Sequence, residues 1–419
     1  MNVVISPSSA FGTVRAIASK SVAHRALICA AFADTETKIR CEQLNKDIEA
    51  TARCLEAIGA KISYSAPFFT VSPVKSASEH AILYCGESGS TLRFLLPVVS
   101  ALGLNASFVM EGRLPQRPLS PLYEELCAHG AALSPQGENP FISKGKLSAT
   151  EFSIRGDVSS QFISGLLFAS VLMGGGIKIN IIGETESSAY IDMTVQALTL
   201  FGVKVCKLEH GYEIPCNCKL ISPHSLDVEG DWSNAAFPLC MGAIGGSVEV
   251  TGLNPESLQG DKKIIDVLQK FGADVKYSNG AYTVSSDCEL CGIELDASEI
   301  PDLVPVIATV AAVAKGETRI IGAARLRIKE SDRLDAITKA LTALGADIKE
   351  TEDGLVICGK PSLRGGQVDS FNDHRIAMSA AVASVVCNSE VTVNGAQCVE
   401  KSYPAFWNDA CSLGLKITK

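Results

Sequence analysis

Six long apolar segments recur along the chain about every 70 residues, a regular spacing that indicates a repeated supersecondary element. Each segment has too few polar positions for a surface helix, so each predicts a helix that is buried on all sides. The predicted starts of these helices are Lys20, Ser90, Ser160, Ser233, Asp302 and Asp373. Serine and aspartate are good N-caps, so capping alone explains several of these residues.

The pattern after each apolar helix also repeats. A small-residue turn leads into an alternating strand, as in GGSVEVTG, KGETRIIG and NSEVTVNG. A more amphipathic helix follows and ends near a glycine, which is a helix C-cap signal, and a strand pair closes the repeat. The glycines are Gly59, Gly130, Gly202, Gly272, Gly345 and Gly414. The pattern therefore predicts six copies of one α/β repeat.

Length and composition narrow the class of protein. A chain of 419 residues exceeds what one hydrophobic core usually supports, so two domains are expected. A net charge of −9 argues against nucleic acid or an anionic membrane as the main partner. The first residues do not have the pattern of a signal peptide, and the apolar stretches are too short to span a bilayer. We therefore expect a cytoplasmic protein.

The chain contains 15 cysteines, which without an export signal favour reduced thiols over a disulfide framework. Cys216 and Cys218 occupy a similar place to Cys288 and Cys291 in neighbouring repeats. Four thiolates could bind a structural zinc ion, although the CxC spacing is unusual for such a site. The preferred interpretation is two hairpin loops that never meet.

Basic and amide side chains lie at the starts of the apolar helices, where capping does not require them. They are Lys20, Arg25, Arg93, Gln161, His374 and Arg375. The free backbone N–H groups and the dipole of a helix start already favour negative charge. If the repeats pack around pseudo-threefold axes, several starts converge, and we predict an anion-binding cleft there.

The polar clusters, taken in chain order, resemble the motif series of the 3-phosphoshikimate 1-carboxyvinyltransferase (EPSP synthase) family. The motifs are SKSVAHRAL, GESGSTLRFL, GRLPQRPL, SSQFISGLL, SSAYIDMT, IPDLVPVIA, RIKESDRL, NDHRIAMS and VEKSYPAFW. The resemblance covers nearly the whole chain. It implies transfer of the enolpyruvyl group of phosphoenolpyruvate to the 5-hydroxyl of shikimate 3-phosphate, with release of phosphate, in aromatic amino acid biosynthesis.

The same resemblance implies a two-domain inside-out α/β barrel of six βαβαββ units, three per domain, around pseudo-threefold axes. One domain would contain residues 14–227, and the other would contain 1–13 and 228–419, with the active site in the cleft between them. Domain closure would exclude water during the reaction. No metal or organic cofactor is expected, and we expect a monomer.

The residues that hold the two substrates are likewise implied by the resemblance. Both substrates are polyanions, and arginine suits planar oxyanions through paired hydrogen bonds. The implied phosphoenolpyruvate ligands are Lys20, Gly89, Arg117, Gln161, Arg333, Arg375 and Lys401. The implied shikimate 3-phosphate ligands are Lys20, Ser21, Arg25, Ser159, Ser160, Gln161, Ser187, Tyr190, Asp302 and Lys329.

Addition followed by elimination requires acid and base groups near different substrate atoms. Asp302, at a buried helix start, is the candidate base for the 5-hydroxyl. Glu330 and Lys20 are candidates for protonating the methylene carbon and returning the second proton, and His374 for orienting the leaving phosphate or donating to it. The sequence does not divide the proton transfers among these four groups.

Two alternatives use the same scaffold. UDP-N-acetylglucosamine 1-carboxyvinyltransferase shares the fold and the donor, but its usual loop cysteine is absent from GRLPQRP, and Cys85 and Cys127 lie at the wrong places. A non-catalytic anion-binding paralogue would be expected to lose the acid and base groups. Asp302, Glu330 and Lys20 are all present.

Overall fold

The computed structural model describes every residue from Met1 to Lys419. The chain forms two compact units. The terminal unit contains Met1–Ile17 and Glu229–Lys419, and the central unit contains Ala18–Val228. None of the helices combines the length and the apolar character needed to cross a membrane.

The part of the chain up to Asp227 contains six α-helices and fourteen strands. The helices are α1 (Lys20–Ala31), α2 (Lys46–Ile58), α3 (Gly89–Leu102), α4 (Leu122–Ala128), α5 (Ser160–Leu172) and α6 (Ser188–Leu200). The strands are β1 (Asn2–Ser6), β2 (Ala10–Arg15), β3 (Thr37–Arg40), β4 (Lys61–Ser65), β5 (Phe68–Ser72), β6 (His80–Gly86), β7 (Asn105–Met110), β8 (Ala131–Leu133), β9 (Phe141–Gly145), β10 (Glu151–Arg155), β11 (Ile177–Ile182), β12 (Cys206–Leu208), β13 (Gly211–Ile214) and β14 (Ser225–Asp227).

The rest of the chain contains six α-helices and ten strands. The helices are α7 (Trp232–Gly245), α8 (Ile264–Phe271), α9 (Val304–Ala311), α10 (Arg333–Ala343), α11 (His374–Ser384) and α12 (Phe406–Ser412). The strands are β15 (Gly246–Thr251), β16 (Asp274–Ser278), β17 (Ala281–Ser285), β18 (Glu294–Asp296), β19 (Glu317–Ile321), β20 (Asp347–Glu350), β21 (Leu355–Cys358), β22 (Gly366–Asp369), β23 (Val391–Asn394) and β24 (Lys416–Thr418). Short 3₁₀ turns span Leu114–Gln116, Gly260–Lys263, Pro301–Leu303, Ala324–Ile328 and Ala396–Lys401.

The strands form six separate four-stranded sheets. Those of the central unit have the orders β14-β3-β5-β4, β6-β7-β9-β8 and β10-β11-β13-β12, and those of the terminal unit have the orders β2-β15-β17-β16, β18-β19-β21-β20 and β22-β23-β1-β24. In each order the first two strands are parallel and the others are antiparallel. The predicted mixed α/β fold with six repeats is therefore confirmed, and no sheet closes into a barrel.

Three sheets are completed by strands that are distant in sequence. In the terminal unit, β2 pairs in parallel with β15 from Ala10 opposite Gly246 to Arg15 opposite Thr251. In the same unit, β1 lies between β23 and β24. In the central unit, β14 pairs in parallel with β3. Two of the three sheets of the terminal unit therefore depend on strands from the N-terminal segment, and one of these two also contains the C-terminal strand β24.

Each unit has its own hydrophobic core, built around the first helix of each repeat. Every residue of α9 and of α11 is buried, as is every residue of α5 from Phe162 to Val171. Full burial of one large apolar side chain contributes about 1.5–3 kcal/mol. The prediction that these helices are buried on all sides is thus confirmed. In the terminal unit, α7, α9 and α11 each contact the other two.

The repeated glycines end the second helix of each repeat, as predicted. All six have a positive φ, between 80° and 127°, which an L side chain rarely adopts. At Gly59, for example, the backbone N–H donates to the carbonyls of Leu55 and Glu56 and so closes α2. The predicted strands in GGSVEVTG, KGETRIIG and NSEVTVNG are also present, as β15, β19 and β23.

Candidate active site

The starts of the buried helices differ slightly from the predicted ones. α1 and α5 begin at the predicted Lys20 and Ser160, and the other four begin within two residues of the prediction. Side-chain caps come from Ser19, Ser88, Ser159, Asp231 and Asp373. Ser90, Ser233 and Asp302 are therefore not N-caps, and capping does not explain their presence. Asp302 lies in a 3₁₀ turn ahead of α9, because Pro305 enters the first turn of that helix.

Two arginines converge on the start of α3 in the central unit. A Cβ atom added to Gly89 would lie 2.8 Å from Nη1 of Arg93 and 2.8 Å from Nη1 of Arg117. Arg93 Nη1 donates to Oε1 of Gln161 at 3.1 Å, and Gln161 Nε2 donates to Oγ of Ser90 at 2.8 Å. The absence of a side chain at Gly89 therefore lets two guanidinium groups lie against the backbone of a helix start.

Lys20 and Arg25 extend from the first two turns of α1. Lys20 Nζ lies 3.0 Å from Oδ2 of Asp47, in a pair whose side chains are 19% and 16% exposed. Arg25 is buried and donates to Oγ1 of Thr194 at 2.8 Å and to the carbonyls of Ser21 at 2.8 Å and Tyr190 at 2.6 Å. Burial lowers the pKa of Arg25 to about 10, so the group remains a cation at pH 7.

The predicted residues near α5 and α6 lie at the starts of those helices. Ser159 caps α5 by accepting from the backbone N–H of Gln161 at 3.3 Å. Ser187 precedes α6 with a φ of 53°, an uncommon conformation for serine, and its carbonyl accepts from the N–H of Tyr190 at 3.1 Å. The contacts of Arg25 with Tyr190 and Thr194 join the first turns of α6 to α1.

A buried chain of hydrogen bonds supports the cap of α3. Thr91 donates from Oγ1 to Ser88 at 2.7 Å, so it accepts from Thr51 at 2.6 Å, and Thr51 in turn accepts from Nδ1 of His24 at 2.7 Å. Burial, with help from Lys20 and Arg25, holds the pKa of His24 well below its usual range. His24 is therefore neutral at pH 7. Sequence reasoning missed this chain, whose members are ordinary core positions when taken singly.

Asp302 is the centre of the charged cluster in the terminal unit. Its Oδ1 lies 2.8 Å from Nη1 of Arg333 and 3.6 Å from Nζ of Lys329, and its Oδ2 lies 3.2 Å from Nη2 of Arg375. Burial alone would raise the pKa of Asp302, but Arg375, Lys329 and Arg333 together hold it well below its usual range. Asp302 is thus ionised over the whole physiological pH range.

Arg333 lies between three carboxylates at the start of α10. Besides Asp302, it contacts Oε2 of Glu330 at 2.8 Å and Oδ2 of Asp373 at 2.8 Å. Its side chain is 2% exposed. Burial acts to lower the pKa of Arg333, but Asp373, Glu330 and Asp302 raise it above its ordinary value. Asp373, predicted only as a helix start, is therefore also a buried partner of Arg333.

Arg375 and His374 form the first turn of α11. Arg375 Nη1 donates to the carbonyl of Asp302 at 2.9 Å, and Nη2 donates to Oγ of Ser233 at 2.6 Å. His374 is buried, with Nδ1 3.9 Å from Oδ1 of Asp373. Lys401 Nζ donates to the carbonyl of Asn372 at 2.7 Å, just ahead of the same helix. The structure thus brings together all the predicted site residues of the terminal unit.

The four cysteines of the zinc hypothesis do not form a cluster. Cys216 and Cys218 belong to the central unit, and Cys288 and Cys291 belong to the terminal unit. All four are unpaired thiols. No group of three or more His, Cys, Asp and Glu side chains is arranged to hold a metal ion. The zinc hypothesis is therefore not supported.

The chain is similar to known proteins over nearly its whole length. A family model described as EPSP synthase (3-phosphoshikimate 1-carboxyvinyltransferase) matches residues 5–410. The chain is 42% identical to the 3-phosphoshikimate 1-carboxyvinyltransferase of Clostridium kluyveri, over 99% of this chain and 98% of that protein. It is 40% identical to the enzyme of the same name from Clostridium beijerinckii, over 99% and 97% of the two chains. The solved EPSP synthase of Acinetobacter baumannii matches with a TM-score of 0.83 and 26% identity, over 100% of this chain and 99% of that one.

The α/β fold and these matches define a transferase. The chain belongs to the EPSP synthase family, whose members are 3-phosphoshikimate 1-carboxyvinyltransferases of the shikimate pathway. The family resemblance seen in the motifs is thereby confirmed.

Proposed function

We propose that this chain transfers the enolpyruvyl group of phosphoenolpyruvate to the 5-hydroxyl of shikimate 3-phosphate and releases phosphate. The observation that carries the proposal is the position of Asp302, an ionised carboxylate in contact with Lys329, Arg333 and Arg375. This arrangement combines a proton acceptor with three cations that suit polyanionic substrates. The family membership supplies the identity of those substrates.

Phosphoenolpyruvate is held, in this proposal, by Lys20, Gly89, Arg117, Gln161, Arg333, Arg375 and Lys401. The support in the central unit is the convergence of Arg93 and Arg117 on Gly89, where two guanidinium groups lie against the start of α3. Arg93, which the sequence placed at an anion-binding helix start, is an addition to the phosphoenolpyruvate ligands that the resemblance implied. The support in the terminal unit is the pair of arginines on either side of Asp302.

Shikimate 3-phosphate is held by Lys20, Ser21, Arg25, Ser159, Ser160, Gln161, Ser187, Tyr190, Asp302 and Lys329. Arg25 supports this assignment because its three hydrogen bonds go to neutral oxygens, so its positive charge remains to attract a phosphate. It also fixes Ser21 and Tyr190 through their carbonyls. One buried arginine therefore orients two of the other assigned ligands.

Asp302 accepts the proton of the 5-hydroxyl once phosphoenolpyruvate is bound. In the unliganded protein three cations keep its pKa low, which makes it a weak base. The carboxylate and phosphate of phosphoenolpyruvate compete with Asp302 for Arg333 and Arg375. As those arginines turn to the substrate, the pKa of Asp302 rises, and the base gains strength only in the complete complex.

The second proton transfer involves the carbon of phosphoenolpyruvate. Glu330 and Lys20 are the groups assigned to protonating the methylene carbon and returning its proton, and His374 is assigned to the leaving phosphate. Glu330 is supported by its contact with Arg333, which brings an acid next to an assigned ligand of phosphoenolpyruvate. His374 is supported by its position in the first turn of α11, beside Arg375.

The two units correspond in this proposal to two catalytic domains, which the resemblance implied at residues 14–227 and at residues 1–13 with 228–419. The units of the structure are divided up to four residues later, after Ile17 and after Val228, so that β2 remains whole in the terminal unit. The three repeats of each domain are related, in this proposal, by a pseudo-threefold axis, as in an inside-out α/β barrel. The mutual contacts of α7, α9 and α11 support this symmetry in the terminal unit. Each domain carries part of the assigned ligands, so both act on the same pair of substrates, as a cytoplasmic monomer without a cofactor.

Release of phosphate from phosphoenolpyruvate tests the proposal, with shikimate 3-phosphate and UDP-N-acetylglucosamine as parallel acceptors. We expect release only with shikimate 3-phosphate, and an enolpyruvyl ether product by mass spectrometry. Release only with the sugar nucleotide would show instead that the chain is a UDP-N-acetylglucosamine 1-carboxyvinyltransferase. Binding of shikimate 3-phosphate without any turnover would instead identify a non-catalytic paralogue.

A further inference from the structure

Helix α2 carries none of the assigned substrate ligands, yet two of its side chains contact the helices that do. Asp47 lies in its first turn, and Thr51 lies four residues later on the same face. Oδ2 of Asp47 is 3.0 Å from Nζ of Lys20 at the start of α1. Oγ1 of Thr51 is 2.7 Å from Nδ1 of His24 in α1 and 2.6 Å from Oγ1 of Thr91 in α3. One face of α2 therefore contacts both α1 and α3.

The hydrogen bonds at Thr51 have a fixed direction. The backbone N–H and the hydroxyl of Thr91 both donate to Oγ of Ser88, at 3.3 and 2.7 Å. A hydroxyl has only one proton, so Thr91 accepts from Thr51, and Thr51 accepts from Nδ1 of His24. Nε2 of His24 is buried and makes no hydrogen bond. The chain of bonds therefore runs one way, from α1 through α2 to the N-cap of α3.

Thr51 is the middle member of this chain, and all four members are buried. His24 and Ser88 are 1% exposed, and Thr51 and Thr91 are 0% exposed. A buried hydroxyl that loses its partner cannot turn to water instead, so each bond of the chain matters. α1 and α3 also meet by packing, because the ring of His24 lies edge-on to the ring of Phe94, with the centroids 6.4 Å apart. Removal of the Thr51 hydroxyl would therefore break the polar link but leave the packing.

The N-cap at the end of the chain lies beside the candidate phosphoenolpyruvate site. Ser88 caps α3, and Gly89, on which two guanidinium groups converge, is the first residue of that helix. The position of this first turn sets where its free backbone N–H groups lie relative to the two cations. Without the proton from Thr51, the hydroxyl of Thr91 is no longer held in its bond to Ser88, and the first turn loses its fixed position.

We propose that Thr51 is a positioning residue that fixes the start of α3 through the Thr91 hydroxyl and thereby sets the affinity for phosphoenolpyruvate. The inference rests on the proposed function, in which Gly89 is a ligand of that substrate. A helix start that is already fixed costs less of the binding free energy when the anion arrives.

Four variants test the proposal: Thr51→Val, Thr51→Ser, Thr91→Val and the double variant Thr51→Val/Thr91→Val. Thr51→Val replaces the hydroxyl with a methyl group and is expected to raise the KM for phosphoenolpyruvate about tenfold, the effect of one buried hydrogen bond. The KM for shikimate 3-phosphate and kcat should change less than about threefold. Thr51→Ser keeps the hydroxyl and should restore most of the affinity. The double variant should be no worse than Thr91→Val, because both changes break one chain.

The matched control is Thr37→Val, at a buried threonine of β3 in the same unit. Oγ1 of Thr37 lies 2.8 Å from Oγ of Ser222, so this change also removes a buried bond between two hydroxyls. Thr37→Val should lower the Tm about as much as Thr51→Val does, but it should leave both KM values unchanged. A purely structural role of Thr51 would make the two variants alike in every measurement.

Binding is also measured without turnover, by calorimetric titration of phosphoenolpyruvate in the presence of shikimate 3-phosphate. Asp302→Asn, which lacks the assigned base, is the background for this titration, with and without Thr51→Val. An unchanged KM and dissociation constant for phosphoenolpyruvate in Thr51→Val would overturn the inference, as would equal losses in Thr51→Ser or in Thr37→Val. A wild-type protein that releases no phosphate would refute the proposed function instead, and the titration would still decide whether Thr51 affects the binding of phosphoenolpyruvate.

Discussion

Arg25 in the central unit and Arg333 in the terminal unit are both almost completely buried, yet their electrostatic surroundings are opposite. Arg25 donates to one hydroxyl and two backbone carbonyls, and burial lowers its pKa to about 10. Arg333 contacts three carboxylates, which raise its pKa despite the burial. The two arginines are buried to a similar extent, but the net charge of each side chain taken together with its contacting groups is very different. It is positive around Arg25 and negative around Arg333.

The difference shows that a buried cation is not by itself an anion site. The charge of Arg25 is not neutralised by its hydrogen-bond partners, so a substrate phosphate can pair with it. The charge of Arg333 is already compensated by three carboxylates, and Arg375, Lys329 and Arg333 together keep Asp302 ionised. We infer that the central unit binds the phosphate of shikimate 3-phosphate through Arg25. The terminal unit supplies the proton acceptor, and its arginines bind phosphoenolpyruvate only in exchange for Asp302.

The largest expected effect is a loss of turnover when the terminal unit loses its proton acceptor. Asp302→Asn removes the assigned base with little change in shape, and kcat should fall by about 10²–10⁴-fold. Phosphate release in steady state measures kcat. The control is Asp266→Asn, which removes the same charge from an exposed position on α8. Turnover at the wild-type rate would show that another group accepts the proton.

The next effect is on stability and compares the two arginines directly. Arg333→Met leaves the fully buried Asp373 without its main cation, which should cost about 3–5 kcal/mol of unfolding free energy. Arg25→Met leaves only neutral acceptors unpaired, and about 1–3 kcal/mol is expected. Urea unfolding of both variants measures the difference. Equal losses would mean that the surrounding carboxylates do not distinguish the two sites.

Substitution of Gly89 tests the central anion site without changing any charge. Gly89→Ala would place a methyl group 2.8 Å from Nη1 of both Arg93 and Arg117, so at least one guanidinium must move. We expect the KM for phosphoenolpyruvate to rise about tenfold, the cost of one charged hydrogen bond. The KM for shikimate 3-phosphate, measured in the same assay, should change much less. A parallel rise of both constants would argue against a separate phosphoenolpyruvate subsite at α3.

The smallest effect is a pH dependence of stability that comes from Asp261, a buried acid in the 3₁₀ turn ahead of α8. Burial, with Asp302 nearby, raises the pKa of Asp261 to about 6, whereas an unfolded aspartate titrates near about 3.9. The folded state therefore binds this proton more tightly, so ionised Asp261 lowers stability above about pH 6. That loss fades as the pH falls from about 6 to about 4.

Asp261→Asn should accordingly have a higher Tm than wild type at pH 8, and the two Tm values should converge at pH 4. Thermal unfolding followed by circular dichroism gives both values. A Tm difference that is independent of pH would contradict the ionisation of Asp261 at neutral pH.

The repeated architecture could be predicted because it follows from local pattern. Burial on every side makes α5, α9 and α11 apolar throughout, and the glycines need a positive φ, so both leave a periodic trace in the sequence. The pairing of β1, β2 and β14 with strands from distant parts of the chain leaves no periodic pattern in the sequence. It depends on pairing between strands that are far apart in sequence.

The residues of the candidate site could be named from the sequence, but their network of contacts could not. Asp302, Arg333 and Arg375 stand out as charges beside apolar helices, and motif resemblance assigned them to substrates. Their mutual contacts span three elements, and Arg375 also reaches Ser233 at the start of α7. Contacts between elements that are far apart in sequence cannot be read from the local pattern.

The contrast between the two units is tested most directly by calorimetric titration of shikimate 3-phosphate into wild type, Arg25→Met and Asp302→Asn. We expect Arg25→Met to lose measurable affinity, because the buried positive charge is gone. We expect Asp302→Asn to bind shikimate 3-phosphate still, within about tenfold of wild type, even though its turnover is lost. Wild-type affinity in Arg25→Met, or complete loss of binding in Asp302→Asn, would contradict the division of anion binding and proton transfer between the units.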